Sequence, residues 1–223
     1  MASVIGKLRS TPLIARVAPF FIFALVTSAQ GLFGEEAKYW FYLIRSVVGA
    51  WLIWAVWPVV KEMRWTISVP AVLVGIGVCV LWVGIDPFYP KMIKEAEHPW
   101  NPHTQFGAGA AIAWFFIVVR IAGSTLVVPP LEEMFYRSFV YRYIVKPDFE
   151  QVPLNVFHGM SFLVTSVLFG VVHREWLAGI LCGLAYQWLA VRKGHLGDAI
   201  TAHAITNFLL GVWIVYKGAW QFW

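Results

Sequence analysis

From Val69 to Ile85 this chain carries no charged residue at all, and stretches nearly as oily recur along its length. In helix, at about 1.5 Å per residue, some 20 such residues cross the ~30 Å hydrocarbon core of a bilayer. Lipid offers no partners to backbone N–H and C=O groups, so each crossing segment must close its own hydrogen bonds. The composition agrees: 60% of the residues are hydrophobic and 13% charged, about half the charged share of an ordinary soluble domain. The expected structure is one all-α domain over residues 1–223, a polytopic transmembrane bundle of about eight helices.

Taken in order, a first span is expected from Leu13 to Phe33, then a polar turn at Gly34–Lys38, and a Trp-rich second span from Tyr39 to Val60. Arg45 interrupts the second span near its start and is expected to snorkel to the interface. A third span covers Val69–Ile85, where Gly75 and Gly77 suit close helix approach. The longest polar connection runs from Asp86 to Gln105 and contains four prolines, with His98 and His103 read as ordinary loop histidines. A fourth span follows from Phe106 to Ile121, with Gly107 and Ala111 as small packing residues. Beyond it come an amphipathic helix from Leu131 to Val145, an apolar stretch from Val156 to Val172, a span from Trp176 to Val191, and a last span from Leu196 to Tyr216.

The formal charge of +5 is modest, and the Lys and Arg residues lie between apolar runs as helix anchors. Nucleic-acid binding is a poor reading of such a balance. Lys7, Arg9 and Arg16 precede the first span without a small-residue cleavage site, which reads as a retained span with its N-terminus inside. Cys79 and Cys182 lie within apolar runs as small buried hydrophobes, with no metal-ligand spacing.

Against this background three polar groupings stand out. The first is Pro129-Pro130-Leu131-Glu132-Glu133-Met134-Phe135-Tyr136-Arg137. Prolines suit the entry to a helix, and the two glutamates then fall in its first turn, where the helix dipole favours them. Glu133 and Arg137, four apart, pair on one face, which leaves Glu132 facing elsewhere. The second is Phe169-Gly170-Val171-Val172-His173, where the aromatic ring packs the imidazole one turn away. The third is His203-Ala204-Ile205-Thr206-Asn207, two hydrogen-bonding side chains on one side of the last helix. Taken singly, His173 reads equally well as an interfacial histidine, and His203 with Asn207 as polar glue between helices. Together they are costly in lipid unless they serve a purpose. A carboxylate and a histidine activate water, and a histidine with an amide stabilises an oxyanion. His203 is hard to bring to His173 by simple threading, because it lies about two turns into its helix from the opposite end.

The order Glu-Glu-x-x-x-Arg, Phe-x-x-x-His, His-x-x-x-Asn within 127–210 resembles the CPBP family, which comprises type II CAAX prenyl endopeptidases and bacteriocin-processing and immunity-related membrane proteins. The form Glu-Glu-Met-Phe-Tyr-Arg-Ser-Phe-Val looks most like the bacterial CAAX prenyl protease-related subfamily that accompanies exosortase protein sorting. The resemblance implies an endopeptidase of the bacterial inner membrane acting on a peptide or protein substrate, lipid-modified or membrane-anchored. It implies that Glu132 activates water with His173, that His203 and Asn207 bind the oxyanion, and that Glu133, Arg137 and Phe169 support them. It implies no cofactor. Ligand count alone leaves zinc open, on Glu132, His173 and His203, since three protein ligands suffice; no His-Glu-x-x-His is present. Two other classes stay open beside the protease: a non-catalytic immunity or scaffold protein of the same family, and a transporter using the buried charges as an ion path, against which the chain shows no inverted repeat.

Overall fold

A computed structural model describes residues 2–29, 33–34, 37–92 and 99–223. Among these the chain is helical throughout, with no strand. A short helix α1 (Ala2–Leu8) precedes α2 (Pro12–Ala29), α3 (Ala37–Val56) and α4 (Val69–Ile85). A five-residue helix α5 (Pro102–Phe106) closes the long polar connection, and α6 (Ala111–Leu126) follows it. Next come α7 (Val128–Glu133), a π-helix over Met134–Val140 and α8 (Tyr141–Val145). The chain closes with α9 (Gly159–Val171), α10 (Trp176–Lys193) and α11 (Gly197–Lys217). Among the described residues five segments are long and apolar enough to cross a membrane: Pro12–Ala29, Ala37–Val56, Val69–Phe88, Ala111–Val145 and Gly197–Lys217. The all-α membrane bundle read from the sequence is the architecture observed.

Several local expectations are revised. The amphipathic helix does not start at Leu131. It is the lower half of one helical column from Ala111 to Val145. Pro129 and Pro130 sit in the first turn of α7, and the two glutamates lie in its second turn, so the helix dipole is not what holds them. Below Glu133 the column widens into the π-helix, a feature that tends to mark functional sites. Gly107 lies outside α6, ending α5 with a φ of +97°, and Gly77 meets nothing. Arg45 turns inward onto the Tyr42 and Phe23 rings. His103 packs edge-on against Trp114 and Trp220, with ring centroids 5.3 and 5.8 Å away. Glu35, Glu36, Lys94, Glu95, Glu97 and His98 lie outside the described residues.

Two features fix the helices around the future site. One is close approach: a Cβ at Gly170 would collide with the backbone of Ile180, and one at Gly183 would lie 2.9 Å from the Ser166 carbonyl oxygen. This lets α9 and α10 touch along their backbones. The other is a polar clamp at the N-terminal end of α11, where Asp198 accepts hydrogen bonds from Thr66 (2.8 Å) and from Ser68 (2.5 Å), the residue that also caps α4. Gly75 of α4 then packs against Ala202 and Ile205 of α11.

A third polar knot sits apart from these. Oε1 of Glu62, in the turn between α3 and α4, accepts from Arg16 (2.7 Å), Arg142 (2.8 Å) and Ser138 (2.5 Å), joining α2, the π-helix and α8. Burial pushes the Glu62 carboxyl up, but the Arg16 charge and the Ser138 hydrogen bond outweigh it and hold it below its ordinary value. A depressed carboxyl stabilises the fold above its unfolded pKa of about 4.3, and that contribution is lost as pH falls through the lower folded value. Thermal unfolding in detergent should therefore show a wild-type melting temperature that drops below about pH 4, and Glu62→Gln should lower stability at pH 7 while flattening the acid-side decline. In the same assay, Gly170→Ala should destabilise by roughly 1–3 kcal/mol through overpacking.

Candidate active site

The helical column supplies the first wall of the site. Arg120, Ser124, Val128 and Glu132 recur every fourth residue and all line one cavity of about 200 Å³. Spacing by four keeps side chains on one face of a helix, so the column presents a single stripe to the cavity. His173, from the turn after α9, and His203 and Asn207, from α11, line the same cavity. The structure thus brings Glu132, His173, His203 and Asn207 together.

How His203 meets His173 has a geometric answer. At 13 residues α9 is only about 20 Å long, well short of a full crossing. The His173 ring also folds back along its own helix, with Nδ1 2.8 Å from the Phe169 carbonyl oxygen. The Phe169 ring then bridges the two imidazoles, 5.0 Å from His173 and 5.8 Å from His203 between centroids. Trp82 of α4 meets His173 edge-on at 5.6 Å.

The two imidazoles and the Asn207 amide are each oriented by a partner behind them. A carbonyl oxygen only accepts, so Nδ1 of His173 carries the proton there and Nε2 of the neutral ring has a lone pair. Nδ1 of His203 lies 3.0 Å from Oε1 of Glu133 and donates to that carboxylate, while its ring stacks on Tyr186 at 5.0 Å and 24°. Nε2 of His203 is left 3.9 Å from Oε2 of Glu132. That is too long for a hydrogen bond, but one water about 2.8 Å from each atom fits off the line between them. Of the two imidazoles, His203 is the one within 4 Å of Glu132. Asn207 donates from Nδ2 to the Ser124 carbonyl oxygen at 2.8 Å, which fixes its amide and leaves the second Nδ2 proton for another acceptor.

Behind His203 the expected Glu133–Arg137 pair is present, Nε to Oε2 at 3.2 Å, with both side chains 0% exposed. The guanidinium carbon lies 4.2 Å from the Phe169 ring centroid, and Nη2 donates to the Gly183 carbonyl oxygen at 3.3 Å. Among the described residues no three His, Cys, Asp or Glu side chains form a group arranged to hold a metal ion, so Glu132, His173 and His203 share a cavity without forming such a group. Sequence reasoning missed the other lining residues, among them Tyr42, Arg45 and Arg120. Arg45 and Arg120 had a readable signal, a guanidinium inside an apolar run, but not its direction.

A family model described as type II CAAX prenyl endopeptidase Rce1-like matches residues 106–209. This segment belongs to that family. The Rce1-like segment runs from the end of α5 to the middle of α11 and contains Glu132, His173, His203 and Asn207. No curated protein and no solved structure matches the chain.

Removing Arg137 would strand a buried carboxylate beside His203. Arg137→Gln should lower unfolding stability by about 3–5 kcal/mol, measured by denaturation in detergent. Glu133→Gln paired with Arg137→Gln should recover part of that loss.

Proposed function

We propose that this protein is an intramembrane endopeptidase of a bacterial plasma membrane, hydrolysing a peptide bond by attack of a water that Glu132 activates. The observation that carries this reading is the shared cavity of Glu132, His173, His203 and Asn207, in which the two imidazoles and the amide are each held from behind by a separate partner while Oε2 of Glu132 is left without a hydrogen bond. Membership of the segment in an endopeptidase family supports it. The bacterial setting rests on the form of the Glu-Glu motif described above.

In this reading the water lies beside Glu132, which takes one of its protons as the oxygen attacks the carbonyl carbon. The lone pair on Nε2 of His173 assists by accepting a hydrogen bond from that water. The carbonyl oxygen becomes an oxyanion and takes the free Nδ2 proton of Asn207 as a hydrogen bond. A protonated His203, its charge offset by Glu133, donates the second from Nε2. The proton held by Glu132 passes to the amide nitrogen as the C–N bond breaks, releasing a carboxylic acid and an amine. Glu133, Arg137 and Phe169 act only by positioning. The substrate is a peptide or protein that is itself membrane-anchored or lipid-modified, reaching the cavity from the bilayer.

Purified protein in nanodiscs should cleave a membrane-anchored peptide library, read by mass spectrometry. Glu132→Gln should lower the rate by about 10²–10⁴-fold, and Asn207→Ala by about 10²–10³-fold, the usual loss for an oxyanion donor. Equal cleavage by wild type and Glu132→Gln would reject the mechanism. A non-catalytic immunity or scaffold protein predicts instead that Glu132→Ala leaves the cellular phenotype intact while changes on outer helix faces abolish it. Activity should survive EDTA; loss on chelation with recovery on added zinc would move Glu132, His173 and His203 to the role of ligands.

A further inference from the structure

The cavity holds two cations that the proposed chemistry does not use. Arg45 of α3 and Arg120 of α6 both line it. Their guanidinium carbons lie 4.0 and 4.8 Å from the centroid of the same ring, Tyr42. Arg120 is flanked further by Trp100 at 4.5 Å and Trp223 at 5.2 Å. The only side-chain oxygen Arg45 meets among the described residues is the Thr27 hydroxyl, 3.2 Å from Nη1, and its Nε is buried without a hydrogen-bond partner. Among the described residues neither arginine pairs with Asp or Glu. The two carboxylates that line the cavity are placed elsewhere, Glu132 beside His203 and Glu175 beside Arg174.

Aromatic faces hold and orient guanidinium groups, but they do not neutralise two like charges within transmembrane segments. Charges placed so are costly without an opposite partner and mark ligand paths. Their planar forks match a carboxylate in two-point geometry. We propose that Arg45 and Arg120 form an anion subsite that holds a carboxylate of the substrate peptide. This deepens the protease reading and rests on it for the word substrate.

The helical column sets the distance. Arg120 and Glu132 are twelve residues apart on one stripe, about 18 Å along a helix axis. Ser124, which anchors the Asn207 amide, lies between them. An extended peptide advances about 3.4 Å per residue, so the carboxylate sits within about five residues of the bond cut. Two sources supply it, a free C-terminus or an Asp or Glu side chain. The subsite therefore selects where along a chain the cut falls.

The test uses binding, so that its outcome is independent of turnover. Glu132→Gln protein, full length and in nanodiscs, is titrated with dansyl-labelled apolar hexapeptides in four versions: free acid or amide at the C-terminus, each with or without one internal glutamate. Energy transfer from the cavity tryptophans reports binding. At least one carboxylate-bearing version should bind tenfold or more tightly than the glutamate-free amide, and which one does so identifies the source. Adding Arg45→Gln or Arg120→Gln should erase most of that preference, whereas Arg120→Lys should keep part of it and so exclude simple misfolding. Equal binding of all four versions, no binding of any, or a preference that survives both Gln variants would overturn the subsite. Loss of peptide cleavage in the wild type with the acid preference intact would instead count against the proposed chemistry alone.

Discussion

One buried carboxylate carries the architecture of the site. Glu133 is fully enclosed and faces Arg137 on one side and His203 on the other. A lone carboxylate at such depth would be prohibitive, and so would a lone guanidinium. Held together, they tie α7 and the π-helix to α11, and through the Gly183 carbonyl and the Phe169 ring they reach α10 and α9. His203 takes its orientation from this line of charge, and Nε2 is aimed into the cavity only because Nδ1 is engaged behind it. Glu132, next in sequence, is free to face the cavity because its neighbour does the structural work.

The division of labour between adjacent glutamates was legible from spacing alone. An acid four residues before an arginine pairs on its own face, and a neighbour 100° away cannot share that pair. The helical class and the run of Val69–Ile85 were equally readable, since an apolar run without charges has one stable form in lipid. The π-helix was not readable, because Met134–Val140 has the composition of any half-buried helix and its widening depends on neighbours that pack later. Nor was the continuity of α6 with α7 readable, since Pro129-Pro130 signals a helix start whether or not another helix already precedes it.

The meeting of His173 and His203 was the hardest point to foresee. Counting turns along full-length spans sets them at different depths. The structure resolves this with a short α9, an imidazole that bends back to its own helix carbonyl, and a phenyl ring between the two. The glycine contacts at Gly170 and Gly183 matter here, for they let α9 and α10 lie backbone to backbone and keep Phe169 beside Tyr186 and His203. Arg45 and Arg120 show the same limit of sequence reading. Their presence in apolar runs is visible, whereas turning inward onto Tyr42 rather than outward to the interface is decided by the ring that receives them.

The stripe of Arg120, Ser124, Val128 and Glu132 has a consequence for how such a chain can diverge. A residue gained or lost anywhere between the first and last of these would swing one end of the stripe by about 100° relative to the other, turning either the acid or the guanidinium out of the cavity. The spacing therefore behaves as a reading frame: what it fixes is the number of residues between the guanidinium and the acid, so a length change there would disrupt the site even with all four side chains kept.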